Sequence, residues 1–391
     1  MSSIRKQVEI FLVALRLGLT SFGGPVAHLA YFQNEYVKRK KWLSDQTYAE
    51  IVAICQFLPG PASSQVGISI GMLRGGMLGG FLAWIGFTLP SVLLLSFFAY
   101  YVIHFDVNQS VIIHSLKIVA VAVVAHAILS MGKNLASDLP RISLAIGSAV
   151  LILLFPTASI QIIIIVLAGL IGSLLFKKDV SNQKSEVTLN ISKSVGMISL
   201  SIFTLLLISL PVISGYFKHL YIQLFDTFYR VGSLVFGGGH VVLPLLEKEI
   251  VPNQMTNELF LAGYGAAQAV PGPLFTFASY LGMSIDGIGA MIIATVAIFL
   301  PSFLLITAIL PFWNSLSQNQ SVRSALVGVN AAVVGVLLAA FYDPIFTSGI
   351  TSSVDFAVAV LSFSLLQFFK RPAWLVVLLT VAIYVIIHQL I

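Results

Sequence analysis

Nine stretches of this chain are almost uninterrupted hydrocarbon: 77–103, 111–131, 142–155, 158–176, 195–217, 288–312, 324–342, 354–369 and 373–390. Runs of this kind have the length and apolarity of spanning helices, and the two short ones (142–155 and 354–369) are each bounded by turn or charge signals. The bilayer is therefore the solvent for most of the chain. Only 9% of its residues are charged, against roughly 25% in a soluble domain. This excludes a secreted enzyme, a nucleic-acid module and a disordered regulator. The net charge of +6 sits in short loops, where Lys and Arg act as topology determinants rather than as a nucleic-acid footprint. Cys55 is the only cysteine, which rules out an intramolecular disulfide or a cysteine metal cluster. The N-terminus does not read as a cleavable signal: Arg16 interrupts the first apolar run, and Gly23-Gly24-Pro25 follows where a cleavage site needs small residues.

Four further segments are apolar but broken in the middle. They are 8–33 (at Phe22-Gly23-Gly24-Pro25), 48–72 (at Pro59-Gly60-Pro61), 222–246 (at Gly237-Gly238-Gly239) and 258–283 (at Pro271-Gly272-Pro273). In lipid a broken helix needs a compensating reason, because its freed peptide groups must be satisfied by protein or water. The four segments form two pairs. A shift of 214 places Arg16 on Arg230, Gly18 on Gly232, Phe22-Gly23-Gly24 on Phe236-Gly237-Gly238 and Glu35 on Glu249, with 8 identities over the 22 positions 16–37. At 212, Gln56 meets Gln268 and Pro59-Gly60-Pro61 meets Pro271-Gly272-Pro273. At 211, Gly71-Met72 meets Gly282-Met283 and Pro90-Ser91 meets Pro301-Ser302. The offset drifts smoothly, as small loop deletions make it, so the chain reads as an internal duplication.

The basic loops then set an expected topology. With each interrupted segment folded as a re-entrant hairpin, Arg5-Lys6, Lys38-Arg39-Lys40-Lys41, Arg74, Lys133, Arg141, Lys177-Lys178 with Lys184 and Lys193, Arg323 and Lys370-Arg371 share one side. Asp106, Glu247, Glu249, Glu258, Asp286, Asp343 and Asp355 share the other, with Lys218 and Lys248 against the rule. The expected fold is an all-α polytopic membrane protein of two inverted-topology repeats, with nine spans and four hairpins. Residues 1–176 are the first repeat, 177–217 a cytoplasmic loop and the linking span, and 218–391 the second repeat. The N-terminus is expected in the cytoplasm and the C-terminus outside. The alternative of 13 full spans keeps the inversion but moves the basic cluster 38–41 outside, which positive-inside disfavours.

The breaks carry the chemistry. Leu58 precedes a proline and leaves the α region; Gly60 suits an N-cap and Pro61 the first residue of the next half-helix. The amides of Ala62, Ser63 and Ser64 are then free. Pro271-Gly272-Pro273 repeats this with Leu274, Phe275 and Thr276. Gly23-Gly24-Pro25 and Gly237-Gly238-Gly239 present the amides of residues 26–28 and 240–242. Each half-helix start carries about +0.5 charge, so four converging starts supply roughly +2, matched to a divalent oxyanion. Ser63, Ser64 and Thr276 add hydroxyls, and Gln56 and Gln268 add amides. The alternative is that the turns only kink and pack helices.

Arg16 and Arg230 lie inside apolar helices, where an arginine costs at least ~2.5 kcal/mol and marks a candidate functional site. A guanidinium suits bidentate oxyanion binding. The structural alternative is pairing, with Asp226 one turn before Arg230 and Glu9 two turns before Arg16. Glu35 and Glu249, also symmetric, are gating or proton-coupling candidates or else interfacial carboxylates. His28 and His240 follow the glycine breaks and either titrate near neutral pH or pack. Lys117, which shares a helix face with His114, is the remaining pathway candidate. No metalloprotease, nucleophile-elbow, Walker or CxxC motif is present and the seven His show no metal spacing, so neither metal nor cofactor is expected. The small-residue face at Gly75-Gly76 and Gly79-Gly80 allows a homodimer without requiring one.

The chain resembles the chromate ion transporter family in its long form with two homologous halves. The resemblance rests on Arg16, Gly18, Ser21-Phe22-Gly23-Gly24-Pro25 with His28, and Gln56-Phe57-Leu58-Pro59-Gly60-Pro61. In the second half it rests on Val235-Phe236-Gly237-Gly238-Gly239-His240-Val241-Val242-Leu243-Pro244 and Gln268-Ala269-Val270-Pro271-Gly272-Pro273. It implies an inner-membrane carrier that expels chromate and confers chromate resistance, with sulfate competing for or sharing the site. Sulfate or another tetrahedral oxyanion is the alternative substrate, since no residue pattern separates the two. A membrane-embedded chromate reductase is the remote alternative, because a redox centre has few ligands available here.

Overall fold

The computed structural model describes residues 3–22, 24–104, 111–155, 157–176, 192–236, 239–251, 253–313 and 319–390. Gly23, Gly237, Gly238, Asp106, Lys177, Lys178 and Lys184 lie outside the described residues. All regular elements among the described residues are helical. Among the described residues, seven helices of nine residues or more precede a linking helix and seven follow it. The first set is α1 (Ser3–Thr20), α2 (Gly24–Phe32), α3 (Asp45–Phe57), α4 (Ala62–His104), α5 (Val111–Leu135), α6 (Leu139–Leu154) and α7 (Ala158–Leu175). The link is α8 (Lys193–Phe217). The second set is α9 (Leu220–Leu234), α10 (Val242–Ile250), α11 (Asn257–Ala267), α12 (Phe277–Ile309), α13 (Gln320–Ala340), α14 (Ser353–Gln367) and α15 (Ala373–Leu390). A π-helical turn, Gln33–Arg39, continues α2. Local sequence explains several starts. Ser44 caps α3 by accepting from the Thr47 N–H, and Thr256 caps α11 by accepting from the Leu259 N–H.

Each of the nine apolar runs lies in a helix. Five stretches, 62–104, 111–135, 193–217, 274–312 and 320–349, are long and apolar enough to cross a membrane, and four shorter helices are apolar as well. The protein is a polytopic all-α membrane protein.

The interrupted segments turn back on themselves. Cys55 Sγ lies 3.8 Å from Ser69 Oγ, although fourteen residues of continuous helix would separate them by about 21 Å. The chain therefore reverses at Pro59-Gly60-Pro61, and Leu58 is extended (φ −86°, ψ 150°) as expected before proline. The Tyr280 hydroxyl donates to the Leu259 carbonyl at 2.9 Å, so it reverses again at Pro271-Gly272-Pro273. Ion pairs across α1 and the π-turn, and across α9 and α10, record the same reversal at the two glycine breaks.

Sequence reading treated 77–103 as a span of its own. The structure joins it tightly to the half-helix before it. At Gly75 and Gly76 (φ +66°) the backbone folds α4 back, so that a methyl group on Gly71 would sit 2.7 Å from Ala83 Cβ. The small-residue face at Gly75-Gly76 and Gly79-Gly80 is what lets these two arms of one chain touch. Asp286 and Gly287 (φ +69°) reverse α12 in the same way.

The two sets of helices interleave. α5 packs against α11, α14 and α15, while α13 packs against α6 and α7. The contacts between α13 and α7 are close because Gly172 and Gly328 face each other. The largest core cluster accordingly draws on α4 and α5 together with α9 to α15.

Candidate functional site

The breaks meet in crossed pairs. The Gly60 N–H donates to the Val235 carbonyl at 2.7 Å, and the Gly272 N–H donates to the Ser21 carbonyl at 2.9 Å. Each Pro-Gly-Pro apex thus grips the glycine break of the other set. Both glycines hold φ near +100° (+109° and +101°), a region that disfavours any side chain. Ser302 Oγ stands beside Gly60 and Ser91 Oγ beside Gly272, so the surroundings repeat too.

The amides of Gly60 and Gly272 themselves are spent on these protein carbonyls. The half-helix after Pro61 starts at Ala62, one residue later than expected, with the Gln65 N–H donating to the Pro61 carbonyl. The second copy is not equivalent. Leu274–Thr276 forms a 3-10 turn, and the Thr276 N–H and hydroxyl both donate to the Pro273 carbonyl (3.0 and 2.7 Å). Ser63 Oγ pairs with His28 Nδ1 at 3.3 Å in the core, and the His28 ring packs edge-on to Phe87. Ser64 is buried and Gln56 exposed.

An open vestibule of about 890 Å³ reaches these breaks from one end of the helix array. Lys133, Lys370 and Arg371 line its exposed part, and none of its lining residues is a carboxylate. His126 and Gln367 form its wall, with His126 Nδ1 2.9 Å from Gln367 Oε1. Phe22, Gly24, Ala27, His240 and Gln268 form the inner end. A small adjoining cavity of about 20 Å³ shares Gly24, His240 and Gln268 and extends to Gly272.

The inner end is rich in donors. α2 starts there, with Gly24 and Ala27 of its first turn lining the cavity, and a helix start carries unpaired amides and the positive end of the dipole. His240 Nδ1 is 2.6 Å from the Tyr264 hydroxyl, which fixes the ring. Gln268 Nε2 is buried without a hydrogen-bond partner. A buried unpaired donor costs about 1–3 kcal/mol, so it favours an incoming acceptor. Of the sequence candidates, Gly24, His240, Gln268 and Gly272 therefore come together in or beside the vestibule. Pro25, Gln56, Pro61, Ala62, Ser63, Ser64, Gly239, Pro273 and Thr276 are not among its lining residues.

The charged candidates lie elsewhere. Arg230 is clamped by two carboxylates: Nε and Nη2 donate to Asp226 (3.1 and 3.2 Å), and Nη1 and Nη2 donate to Glu249 (2.8 and 3.1 Å). This is the pairing alternative in full. Arg16 Nη1 is 3.8 Å from Glu35, which also accepts from Arg39 at 3.1 Å. The expected Glu9–Arg16 pair does not form, since Glu9 bonds Lys40 and reaches Arg74. Lys117 is buried in α5, and neighbouring His114 pairs with Asp355 at 3.1 Å. Sequence reasoning missed His126 and gave Lys133, Lys370 and Arg371 only a topological role. Their clustering was detectable only as basic residues at the ends of apolar helices.

Comparison with known proteins fits this geometry. The model of the chromate transporter family matches residues 8–173 and again 222–386. The chain belongs to the chromate transporter family. It is 29% identical over 341 residues to an uncharacterized transporter of Methanocaldococcus jannaschii, covering 85% of this chain and 83% of that one. It is 26% identical over 348 residues to a chromate transport protein of Pseudomonas aeruginosa (86% and 80% covered). It is 23% identical over 340 residues to a chromate transport protein of Cupriavidus metallidurans (85% and 81% covered). No solved structure matches the chain.

Proposed function

We propose that this protein carries chromate out of the cytoplasm across the inner membrane and so confers chromate resistance. The observation that carries the reading is the vestibule: three cationic side chains and no carboxylate line the path to an unpaired Gln268 amide and the start of α2. Lys133, Lys370 and Arg371 raise the local concentration of a dianion. Gln268, His240 and the amides after Gly24 replace part of its water shell, as half-helix starts do in secondary transporters.

The double family match and the paired reversals at Gly76 and Gly287 support two repeats, 1–176 and 218–391, joined through 177–217. Their expected inversion puts the vestibule on the basic, cytoplasmic side. Alternating access is the exposure of this site first to one side of the membrane and then to the other. Efflux runs with the field: two negative charges leaving an inside-negative cell gain roughly 4.6 kcal/mol at ~100 mV.

The test is uptake into everted vesicles holding an inside-positive potential. Accumulation of chromate that Gln268→Leu weakens without loss of inserted protein supports the reading. Failure to accumulate chromate refutes it, and sulfate competition on the same vesicles measures how far the site separates the two ions.

A further inference from the structure

The two symmetry-related arginines are balanced very differently. Arg230 has two carboxylates to itself, Asp226 and Glu249. Under the 214-residue shift the counterpart of Glu249 is Glu35, but the counterpart of Asp226 is Leu12 and that of Asn253 is Arg39. One guanidinium between two carboxylates in the second copy becomes two guanidiniums on one carboxylate in the first. Glu9, the other carboxylate lining this region among the described residues, is held by Lys40 and Arg74.

The site of the deficit is open. A groove of about 430 Å³ along α1 and the π-turn is lined by Arg5, Arg16, Arg39 and Lys40 against Glu9 and Glu35, with Leu12 beside them. The Arg16 and Arg39 side chains are 58% and 54% exposed. On α1, Ile4, Val8, Leu12 and Leu19 are exposed around the groove, as on a helix that faces acyl chains. An arginine exposed in that setting requires a counter-ion, and the anion that membrane lipid itself supplies there is a headgroup phosphate.

We propose that this groove binds the phosphodiester headgroup of an anionic phospholipid, bridged by Arg16 and Arg39, in the place that Asp226 fills in the second copy. The acyl chains lie along the exposed apolar side of α1.

The experiment titrates the purified full chain in detergent with phosphatidylglycerol, with phosphatidylcholine of the same acyl chains, and with inorganic phosphate. Retained lipid is read by native mass spectrometry and stability by the unfolding midpoint. Phosphatidylglycerol should be retained preferentially and should raise the midpoint by several degrees. Arg16→Gln with Arg39→Gln should abolish both effects. Leu12→Asp rebuilds the second copy's arrangement, so it should stabilise the lipid-free protein and reduce phosphatidylglycerol retention at least tenfold. Equal retention of phosphatidylcholine, or retention undiminished in Leu12→Asp, overturns the proposal. A midpoint shift produced in full by inorganic phosphate identifies a soluble-anion site and likewise overturns it.

Discussion

Replacing Gly60 with alanine tests the crossed breaks directly. At φ +109° an alanine is strained whatever space it has, which costs about 1–3 kcal/mol. Its methyl group would also stand 2.7 Å from Ser302 Oγ and 2.9 Å from Gln65 Nε2. Gln65 Nε2 is held by the Pro59 carbonyl at 2.6 Å, so it does not swing away freely. Overpacking of this kind adds about 1–3 kcal/mol. The sum is about 2–6 kcal/mol for Gly60→Ala. Gly272→Ala belongs at the lower end, because its nearest neighbours are Ser91 Oγ at 2.9 Å and Ser91 Cβ at 3.3 Å, and a serine hydroxyl rotates. Gly76→Ala is the control: it carries φ +66° but meets nothing within 4 Å, so it bears the backbone cost alone. The chain supplies its own reporter. Cys55 is its single cysteine and is buried, so a thiol-reactive dye labels the protein only as it unfolds. Thermal labelling in detergent should rank Gly60→Ala as least stable, then Gly272→Ala, then Gly76→Ala. If Gly60→Ala and Gly272→Ala unfold no earlier than Gly76→Ala, the crossed breaks are not the tight junction described here.

The arginine clamp and the vestibule mouth give two further expectations. Arg230→Gln leaves Asp226 and Glu249 without their cation and should destabilise by about 3–5 kcal/mol, the scale for breaking a buried pair, whereas Arg16→Gln should cost far less because that side chain is mostly exposed; comparable loss of inserted protein from both variants would contradict the asymmetry. Neutralising Lys133, Lys370 and Arg371 together should raise the chromate KM at low ionic strength and change it little at high salt, since exposed charges are screened over about 8 Å at physiological salt; a salt-independent effect would show that these groups do not act by steering.

Much of the architecture was legible in the chain. Apolar length located the helices, and proline and glycine located the four interruptions, because these residues act on their own few peptide units. The reciprocal bonds from Gly60 to Val235 and from Gly272 to Ser21 were not legible, since each joins residues from different halves of the chain. The doubled glycines at 75–76 and 79–80 were seen, but a small residue records only that something comes close, not what. The vestibule shows the same limit. Lys133, Lys370 and Arg371 stood out only as basic residues at helix ends, and only folding brings the end of α5 beside the loop after α14. Arg230 stood out by its cost in lipid, and the structure answers that cost with two carboxylates.

The mutual grip of the breaks also limits how the molecule moves. Each set of helices holds the other at two points, through backbone atoms that no side-chain rotation releases. The sets are not separate bodies, because α5 packs among α11, α14 and α15 while α13 packs against α6 and α7. A rearrangement that keeps both bonds therefore leaves the breaks tied as one knot, and displacement falls to the helix ends beyond it.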